Sequence, residues 1–440
     1  MSKPRHPKGL YVLFFTEMWE RFSFYTMFAV FVLYMTEPTH YAKLKVLPYF
    51  NPHVMYAWYS GLIYITPLLG GWIADRYLGC RKTVYLGALL MAIGQFLLAT
   101  MSISLFYPGL VFLIMGGGFF KPNISTMVGN LYEHDSPLRD SAFNIFYVGI
   151  NIGAFIAPLV AGWLHVAYGF RWAFFAAGVG MVLSTVILIS FSKYVAHADT
   201  ASTGASGFVS AREPKSRHEF KLRIGALYAV FGIIILWWAV YMQYGDVMNL
   251  WARDYTQPVK AYGSNMPIEW YQSINPIFII IFTPALVWLW SCLNRRRMEP
   301  STSGKMQWGF ILSVVSFLIM VAAAGFAHSK TLVTPYWLVG FYGVLTLSEL
   351  CLSPMGLSYV TKVAPPGYQS LMMGMWFAAS GVGSFLAGYL GQTWITPGIQ
   401  THFPVQLPPT SYFWLMSGLS AACLAMMAFA FKLVNRAQEL

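Results

Sequence analysis

Residues 172–191 read WAFFAAGVGMVLSTVILISF, twenty residues without a charged side chain. At 1.5 Å of rise per residue, a helix of this length spans about 30 Å, the thickness of the hydrocarbon core of a bilayer. The whole 440-residue chain has this character, because 57% of its residues are hydrophobic and only 10% are charged. Soluble domains carry roughly 25% charged residues. The composition therefore excludes a soluble globular protein and predicts an all-α membrane protein.

Similar apolar runs lie on both sides of this segment and are separated by polar residues or by Pro and Gly clusters. We predict 12 transmembrane helices, near residues 10–35, 54–74, 82–104, 107–131, 140–164, 171–192, 223–253, 270–292, 306–327, 335–360, 369–393 and 410–433. The long polar interval between the sixth and seventh helices is typical of a flexible linker, with a short amphipathic surface helix as the alternative. We therefore expect six-helix bundles over 1–192 and 223–440, joined by a cytoplasmic linker over 193–222.

The basic residues are divided unevenly between the predicted loops. Alternate assignment of loops from the N-terminus places 20 of the 28 Lys and Arg residues on one side and six on the other, with Arg21 and Lys121 inside helices. Under the positive-inside rule, both termini are cytoplasmic. The net charge of +12 is thus explained by membrane topology, and we expect no nucleic-acid partner.

Two six-helix halves joined by a cytoplasmic linker match the plan of a major-facilitator transporter, which works by alternating access. The loop after the second helix, Asp75 to Lys82, reads DRYLGCRK and resembles the loop signature of that superfamily. We therefore expect the major-facilitator fold in a multi-pass protein of the cell membrane, the inner membrane if the source is bacterial. A monomer embedded in the lipid bilayer is the expected state.

Charged residues inside the predicted helices are the strongest functional signal, because each costs about 2.5 to 3.5 kcal/mol on insertion scales. Glu17, Glu20 and Arg21 are spaced i, i+3, i+4 and share one helix face, which Tyr25 continues one turn later. Two carboxylates that share one guanidinium can load or release a proton after a small rearrangement. We therefore predict that these three residues take part in proton coupling. A purely structural charge cluster, or snorkelling to the interface, is the alternative.

A lysine and a glutamate of opposite halves form the second signal. Lys121 follows Gly116, Gly117 and Gly118 and precedes Pro122, so its ammonium needs an anion in a site where helices approach closely. That anion is either a glutamate of the first helix or a substrate carboxylate. Glu349 lies in another Pro-interrupted helix and either faces a substrate amine or makes an interhelical hydrogen bond. Opposite charges in the two halves suit a zwitterionic substrate.

Other polar residues in the predicted helices are weaker candidates, because a lone Asn or Tyr in a membrane helix commonly forms interhelical hydrogen bonds and binds no ligand. This group comprises Tyr64, Asn151, Gln243, Asn275 and Trp376. The histidines lie mostly in loops or at helix ends and form no metal or catalytic constellation. We expect no catalytic residue, no metal and no cofactor, and a proton gradient as the driving force.

The first-helix segment 17–25, EMWERFSFY, resembles the ExxERFxYY signature of the proton-dependent oligopeptide transporter family, also called the peptide transporter family. Phe24 replaces the first Tyr of that signature. Matches to further family motifs occur in both halves of the chain, at 71–79, 120–123, 143–153, 275–276, 348–354 and 374–377.

This resemblance implies a proton-coupled symporter that imports di- and tripeptides. It implies that Glu17 and Glu20 couple protons beside Arg21. It further implies that Arg21 and Lys121 face the carboxylate of the peptide and Glu349 its amino terminus. The residues that would line the pocket are Tyr25, Tyr64, Asn151, Asn275 and Trp376.

Two departures from the family pattern concern its extracellular gate. Members commonly pair an acidic residue, just before a Gln in the seventh helix, with an Arg on the first helix. Here Met242 precedes Gln243, and Phe28 replaces the Arg, so both charges are absent together and neither is left unpaired. Asp246 lies one turn after Met242 and is a candidate gate or coupling residue together with Gln243. A solvated position near the helix end is the alternative for Asp246.

Two other functions remain open from the sequence. The same fold could carry another small anionic or zwitterionic solute, although a glutamate that faces an amine argues against a simple anion. The chain could also be a transport-inactive peptide sensor, and the missing acid of the seventh helix favours this reading. A membrane enzyme is a remote third, because no nucleophile-base pair is present.

Overall fold

The computed structural model describes residues 6–133, 136, 138–199, 216–261, 264–327, 331–366, 368–396, 398–399 and 403–439. Within these ranges the chain is almost entirely helical. Its α-helices are α1 (Lys8–Thr36), α2 (Pro38–Leu44), α3 (Pro52–Ile73), α4 (Cys80–Ala99), α5 (Ile103–Asn130), α6 (Arg139–Tyr168), α7 (Phe170–Ser190), α8 (Arg217–Tyr241), α9 (Val247–Tyr255), α10 (Ile274–Arg295), α11 (Thr302–Phe326), α12 (Tyr336–Val363), α13 (Gln369–Gly391) and α14 (Pro409–Glu439).

Short turns and one hairpin complete the described elements. A π-helical turn follows α3, and 3₁₀ turns occur at Ser192–Tyr194, Ala196–Asp199, Met242–Gly245 and Ile268–Ser273. Strands β1 (Lys260–Ala261) and β2 (Ser264–Asn265) form an antiparallel pair, in which Lys260 lies opposite Asn265.

Ten helical segments in the described ranges are long and apolar enough to cross a membrane, which confirms a multi-pass membrane protein. One of them, Arg217–Tyr255, joins α8 and α9 through the intervening 3₁₀ turn. Helices α1 and α3 have 29 and 22 residues and therefore also reach across a bilayer in length.

The observed helices agree closely with the apolar runs, and the differences have local causes. Helix α8 begins at Arg217, six residues before its predicted start. The Ser216 side chain accepts a hydrogen bond from the backbone N–H of Glu219, and Glu219 pairs with Arg223 at 2.7 Å, one helical turn later. An N-cap and an i,i+4 ion pair both stabilise a helix start. The rest of the predicted linker, 200–215, lies outside the described residues.

The chain divides into two compact units, of which the first comprises Met1–Pro52, Leu62–Gly207 and Pro267–Pro276. In this unit α1 packs against α6 and α7, and α4 packs against α5 and α7. A Cβ on Gly87 of α4 would lie 2.7 Å from the carbonyl oxygen of Gly116 on α5. Only glycine permits so close an approach, and this contact holds the part of α5 that carries Lys121.

The second unit comprises His53–Gly61, Phe208–Met266 and Ile277–Leu440. Here α8 packs against α13 and α14, and α11 packs against α12 and α14. Ser348 on α12 donates a hydrogen bond of 2.7 Å to the carbonyl oxygen of Gly309 on α11. A Cβ on Gly309 would lie 3.1 Å from the Ser348 carbonyl oxygen. The close contact of the two helices fixes α12 at the position of Glu349.

Candidate functional site

The predicted charge cluster of the first helix is buried in the first unit. Glu17, Glu20 and Arg21 are only 3%, 0% and 5% exposed. The Arg21 guanidinium donates through Nη2 to Glu20 Oε1 at 2.6 Å and through Nε to Glu20 Oε2, and its Nε lies 3.1 Å from Glu17 Oε1. One guanidinium is therefore shared between two carboxylates, as the i, i+3, i+4 spacing predicted.

The second oxygen of Glu17 differs from the other carboxylate oxygens of this cluster. Glu17 Oε2 is buried, and it has no hydrogen-bond partner among the described residues. A buried carboxylate oxygen without a donor is costly in its ionised form. Glu17 Oε2 is therefore the one carboxylate oxygen of this cluster without a donor among the described residues.

Lys121 on α5 faces an aromatic surface of the same unit. Its Nζ lies 4.2 Å from the centre of the Tyr64 ring on α3 and 6.0 Å from that of Phe24 on α1, which is the geometry of a cation–π contact. Of the carboxylates in the described part of the chain, none forms an ion pair with this ammonium within 4.0 Å. The alternative of a direct ion pair with a first-helix glutamate is thus not observed, and the ammonium is not neutralised by direct contact.

The two asparagine candidates, Asn151 and Asn275, belong to segments of the first unit that pack against each other. Asn151 on α6 is 4% exposed and donates to the carbonyl oxygen of Tyr147 in its own helix. Asn275 follows the 3₁₀ turn that packs against α6. In that turn, Trp270 donates to the Leu159 carbonyl oxygen at 3.0 Å.

A histidine–glutamate pair at the same junction was missed by the sequence reasoning. His165 Nδ1, near the end of α6, lies 2.6 Å from Oε1 of the buried Glu269. The His165 ring stacks on Phe170 at 3.7 Å between centroids. The neighbouring His40 lies on α2, outside the spanning helices. Burial lowers the pKa of His40, and the negative charge of Glu37 opposes that shift. Residues 165 and 269 are 104 positions apart, so no local sequence pattern predicts this pair.

In the second unit, Glu349 accepts a hydrogen bond from a tyrosine. The Tyr241 hydroxyl, at the last position of α8, donates to Glu349 Oε2 at 2.6 Å. Trp376 on α13 is 2% exposed, and its ring packs against the backbone of α12 at Gly356, where a Cβ would lie 2.6 Å from Cζ3 of the ring. The contact of Trp376 with Gly356 holds α13 against the helix that carries Glu349.

Asp246 is buried and paired, so its interpretation as a solvated residue near a helix end is wrong. Its exposed fraction is 0%, as is that of His53 at the start of α3. His53 Nδ1 lies 2.8 Å from Oδ1 and 3.0 Å from Oδ2 of Asp246. A Cβ on Gly391 would lie 2.8 Å from His53 Nδ1, so α13 closes over the pair. The sequence, in which the histidines show no metal or catalytic constellation, did not predict this contact.

Gln243 uses its side chain to join helices. Its Nε2 donates to the carbonyl oxygens of Ala239 at 3.0 Å and Ala387 at 2.8 Å, and its Oε1 accepts from the Tyr412 hydroxyl at 2.5 Å. These contacts connect α8 with α13 and α14. Gln243 therefore serves to anchor the segment that carries Asp246.

Within the described ranges, no group of three or more His, Cys, Asp or Glu residues could hold a metal ion. The ionisable groups described above are the charge cluster of α1, Lys121, Glu349 and the pairs His165–Glu269 and His53–Asp246.

Comparisons with known proteins give one family and several similar relatives. The model of the POT family matches residues 81–203 and 203–402. The chain is 32% identical to a peptide transporter of Yersinia enterocolitica, over 88% of each protein, and 31% identical to a di-/tripeptide transporter of Lactococcus lactis, over 85% of the chain and 86% of the relative. Its fold is similar to the crystal structure of a mutant peptide transporter POT in complex with alafosfalin, with a TM-score of 0.85 at 30% identity, over 98% of the chain and 96% of the solved one.

Proposed function

This chain belongs to the POT family, and from that premise we propose that it imports di- and tripeptides together with protons by alternating access. The relatives named as peptide transporters match most of the chain. A related transporter of this family, 26% identical, has been solved in complex with a thioalcohol-conjugated peptide. The driving force is the proton gradient, and no cofactor is required.

The observation that carries the proposal is the arrangement of charges in the first unit. Glu17, Glu20 and Arg21 form one buried cluster, and Lys121 has an ammonium without a carboxylate within 4.0 Å among the described residues. The formal charges of these four side chains cancel. The carboxylate of a peptide bound at Lys121, with Arg21 nearby, adds one negative charge, and a proton on the partnerless oxygen of Glu17 restores neutrality. Peptide binding and proton uptake therefore favour each other.

The amino terminus of the peptide is assigned to Glu349. A carboxylate suits an ammonium because it is a negatively charged acceptor, and the hydrogen bond from the neutral Tyr241 hydroxyl does not cancel that charge. Because both recognised groups occur in every short peptide, side chains are recognised only weakly. The residues proposed to contact the remainder of the peptide are Tyr25, Tyr64, Asn151, Asn275 and Trp376.

The topology of the proposed transporter is supported by contacts on one side of the first unit. The backbone N–H of Arg81 donates to Asp199 Oδ1 at 2.7 Å, and Asn130 donates to the carbonyl oxygen of Ala198 at 3.2 Å. These four residues lie in loops or at helix ends. The positive-inside rule assigns those loops and helix ends to the cytoplasm. We propose cytoplasmic termini, functional halves 1–192 and 223–440 joined by the linker 193–222, and a monomer.

We further propose that Asp246 acts in gating and proton coupling, with His53 as its partner and Gln243 as its anchor. The pair joins the start of α3 to the turn after α8, and its attraction depends on the charges of both side chains. It thus supplies a buried histidine–carboxylate contact in a chain whose Phe28 and Met242 cannot form the ion pair of the family.

Replacing Asp246 with asparagine should change how uptake depends on pH. The substitution keeps the size of the side chain and removes the carboxylate that faces His53, so the proposed coupling group is lost. We expect initial dialanine uptake to fall about tenfold and its dependence on external pH to flatten. Asp254→Asn is the control, because Asp254 pairs with Arg253 near the end of α9 and is partly exposed. A wild-type pH profile in Asp246→Asn would remove this residue from the coupling mechanism.

Uptake by purified protein in liposomes tests the function as a whole. Labelled dialanine should accumulate only under an inward proton gradient and should be displaced by trialanine, but not by free alanine or nitrate. A further competitor is 5-aminolevulinic acid, with which a 26% identical POT family transporter has been solved. Preference for that zwitterion over dialanine would assign another solute, and peptide binding without accumulation would assign a sensor.

A further inference from the structure

Glu349 is held by a residue that neither the sequence motifs nor the proposed charge pairs include. The Tyr241 hydroxyl donates to Glu349 Oε2 at 2.6 Å, a length typical of a strong hydrogen bond to an ionised acceptor. Both residues belong to the second unit. The contact joins the end of α8 to the middle of α12.

The tyrosine ring is fixed on several sides. Tyr241 is 4% exposed, and its ring lies 4.9 Å from Trp237, 5.3 Å from Trp238 and 5.3 Å from Tyr244, measured between centroids. A side chain with two χ angles that is packed in this way holds its hydroxyl at one place. Tyr241 is therefore pre-organised before any substrate arrives.

The helix that carries Glu349 is fixed as well. Ser348 bonds to α11 at Gly309, and Trp376 packs on α12 at Gly356. The remaining freedom of the Glu349 carboxylate is rotation of its own side chain, and a hydrogen bond to Oε2 restricts that rotation. A carboxylate that is oriented in advance binds an ammonium without the entropic cost of ordering itself.

We propose that Tyr241 is a positioning residue that orients Glu349 towards the amino terminus of the transported peptide. The inference rests on the proposed function, in which Glu349 binds that amine. Tyr241 is neutral and donates a hydrogen bond through its hydroxyl to Oε2, so it fixes the direction of the Glu349 carboxylate without cancelling its charge. It makes the site specific for cargo with a free amine.

Tyr241→Phe tests this inference, because it keeps the packed ring and removes only the hydroxyl. In proteoliposomes the KM for dialanine should rise about tenfold, the order expected for loss of a hydrogen bond to a charged group. Vmax at saturating dialanine should stay within about twofold of wild type. The inhibition constant of N-acetyl-dialanine, which lacks the amine, should not change. Tyr359→Phe is the control, because Tyr359 lies on α12 with Glu349 but its buried hydroxyl donates to the carbonyl oxygen of Val434.

Other outcomes separate this inference from the proposed function. An unchanged KM for dialanine in Tyr241→Phe, or an equal weakening of dialanine and N-acetyl-dialanine, would overturn the positioning role alone. Absence of dialanine transport by the wild type would overturn the proposed function and this inference with it.

Binding to purified protein provides a second measurement if uptake by Tyr241→Phe is too weak. In a Glu349→Gln background, Tyr241→Phe should cause no further loss of dialanine affinity, and a full additional loss would contradict the proposal.

Discussion

Lys121→Ala is expected to reduce dialanine uptake by roughly 100-fold or more while the protein remains inserted in the membrane. The substitution removes the ammonium that lies over the Tyr64 ring and leaves the carboxylate of the peptide without its cation. Removal of one partner of a buried ion pair costs about 3 to 5 kcal/mol. Initial rates of labelled dialanine uptake in proteoliposomes, normalised to protein incorporated, measure this loss.

Two further variants make the result specific. Lys43→Ala removes an exposed lysine on α2 and should leave uptake unchanged. Glu349→Ala removes the group proposed for the other end of the peptide and should also abolish uptake. Normal uptake in either Lys121→Ala or Glu349→Ala would reject the recognition of both charged termini.

Glu20→Gln is expected to suppress gradient-driven accumulation of dialanine by about tenfold or more, with a much smaller effect on exchange. Glu20 is fully buried and accepts two hydrogen bonds from Arg21. Glutamine preserves the size of the side chain but removes its charge, so the cluster no longer exchanges its proton between two carboxylates. Exchange of internal for external peptide needs no net proton release. Accumulation and counterflow, measured on the same proteoliposomes, separate the two processes.

The control for this prediction is Glu299→Gln. Glu299 pairs with Lys305 and lies between α10 and α11, outside the spanning helices. Both accumulation and exchange should stay at wild-type levels in that variant. Equal loss of both activities in Glu20→Gln would show that Glu20 serves folding or peptide binding rather than proton coupling.

The spanning helices were predictable from sequence because the bilayer imposes a length and an apolar composition on each of them. The predicted run 171–192 corresponds to α7, Phe170–Ser190. Elements that lie outside the hydrocarbon core are not subject to this constraint, and the sequence reasoning did not predict α2 or the 3₁₀ turn Ile268–Ser273. The same limit applies to the early start of α8, which depends on the cap at Ser216.

The charge cluster of α1 was predictable because its partners are neighbours in sequence. Helical spacing alone places Glu17, Glu20 and Arg21 on one face, and the structure joins them as expected. The partners of Asp246 and Glu349 were not predictable in this way. His53 is 193 residues from Asp246, and Tyr241 is 108 residues from Glu349. Such contacts depend on how helices pack, and hydrophobic periodicity does not encode the partner of a single polar side chain.

Internal pH provides the most direct test of obligatory coupling between peptide and proton. Proteoliposomes that contain a pH-sensitive dye and have no imposed pH gradient, with the membrane potential clamped at zero by potassium and valinomycin, receive dialanine on the outside. Coupled import predicts acidification of the lumen at a rate proportional to peptide entry, and loss of that signal in Glu20→Gln. Entry of labelled dialanine at an unchanged internal pH would contradict proton symport.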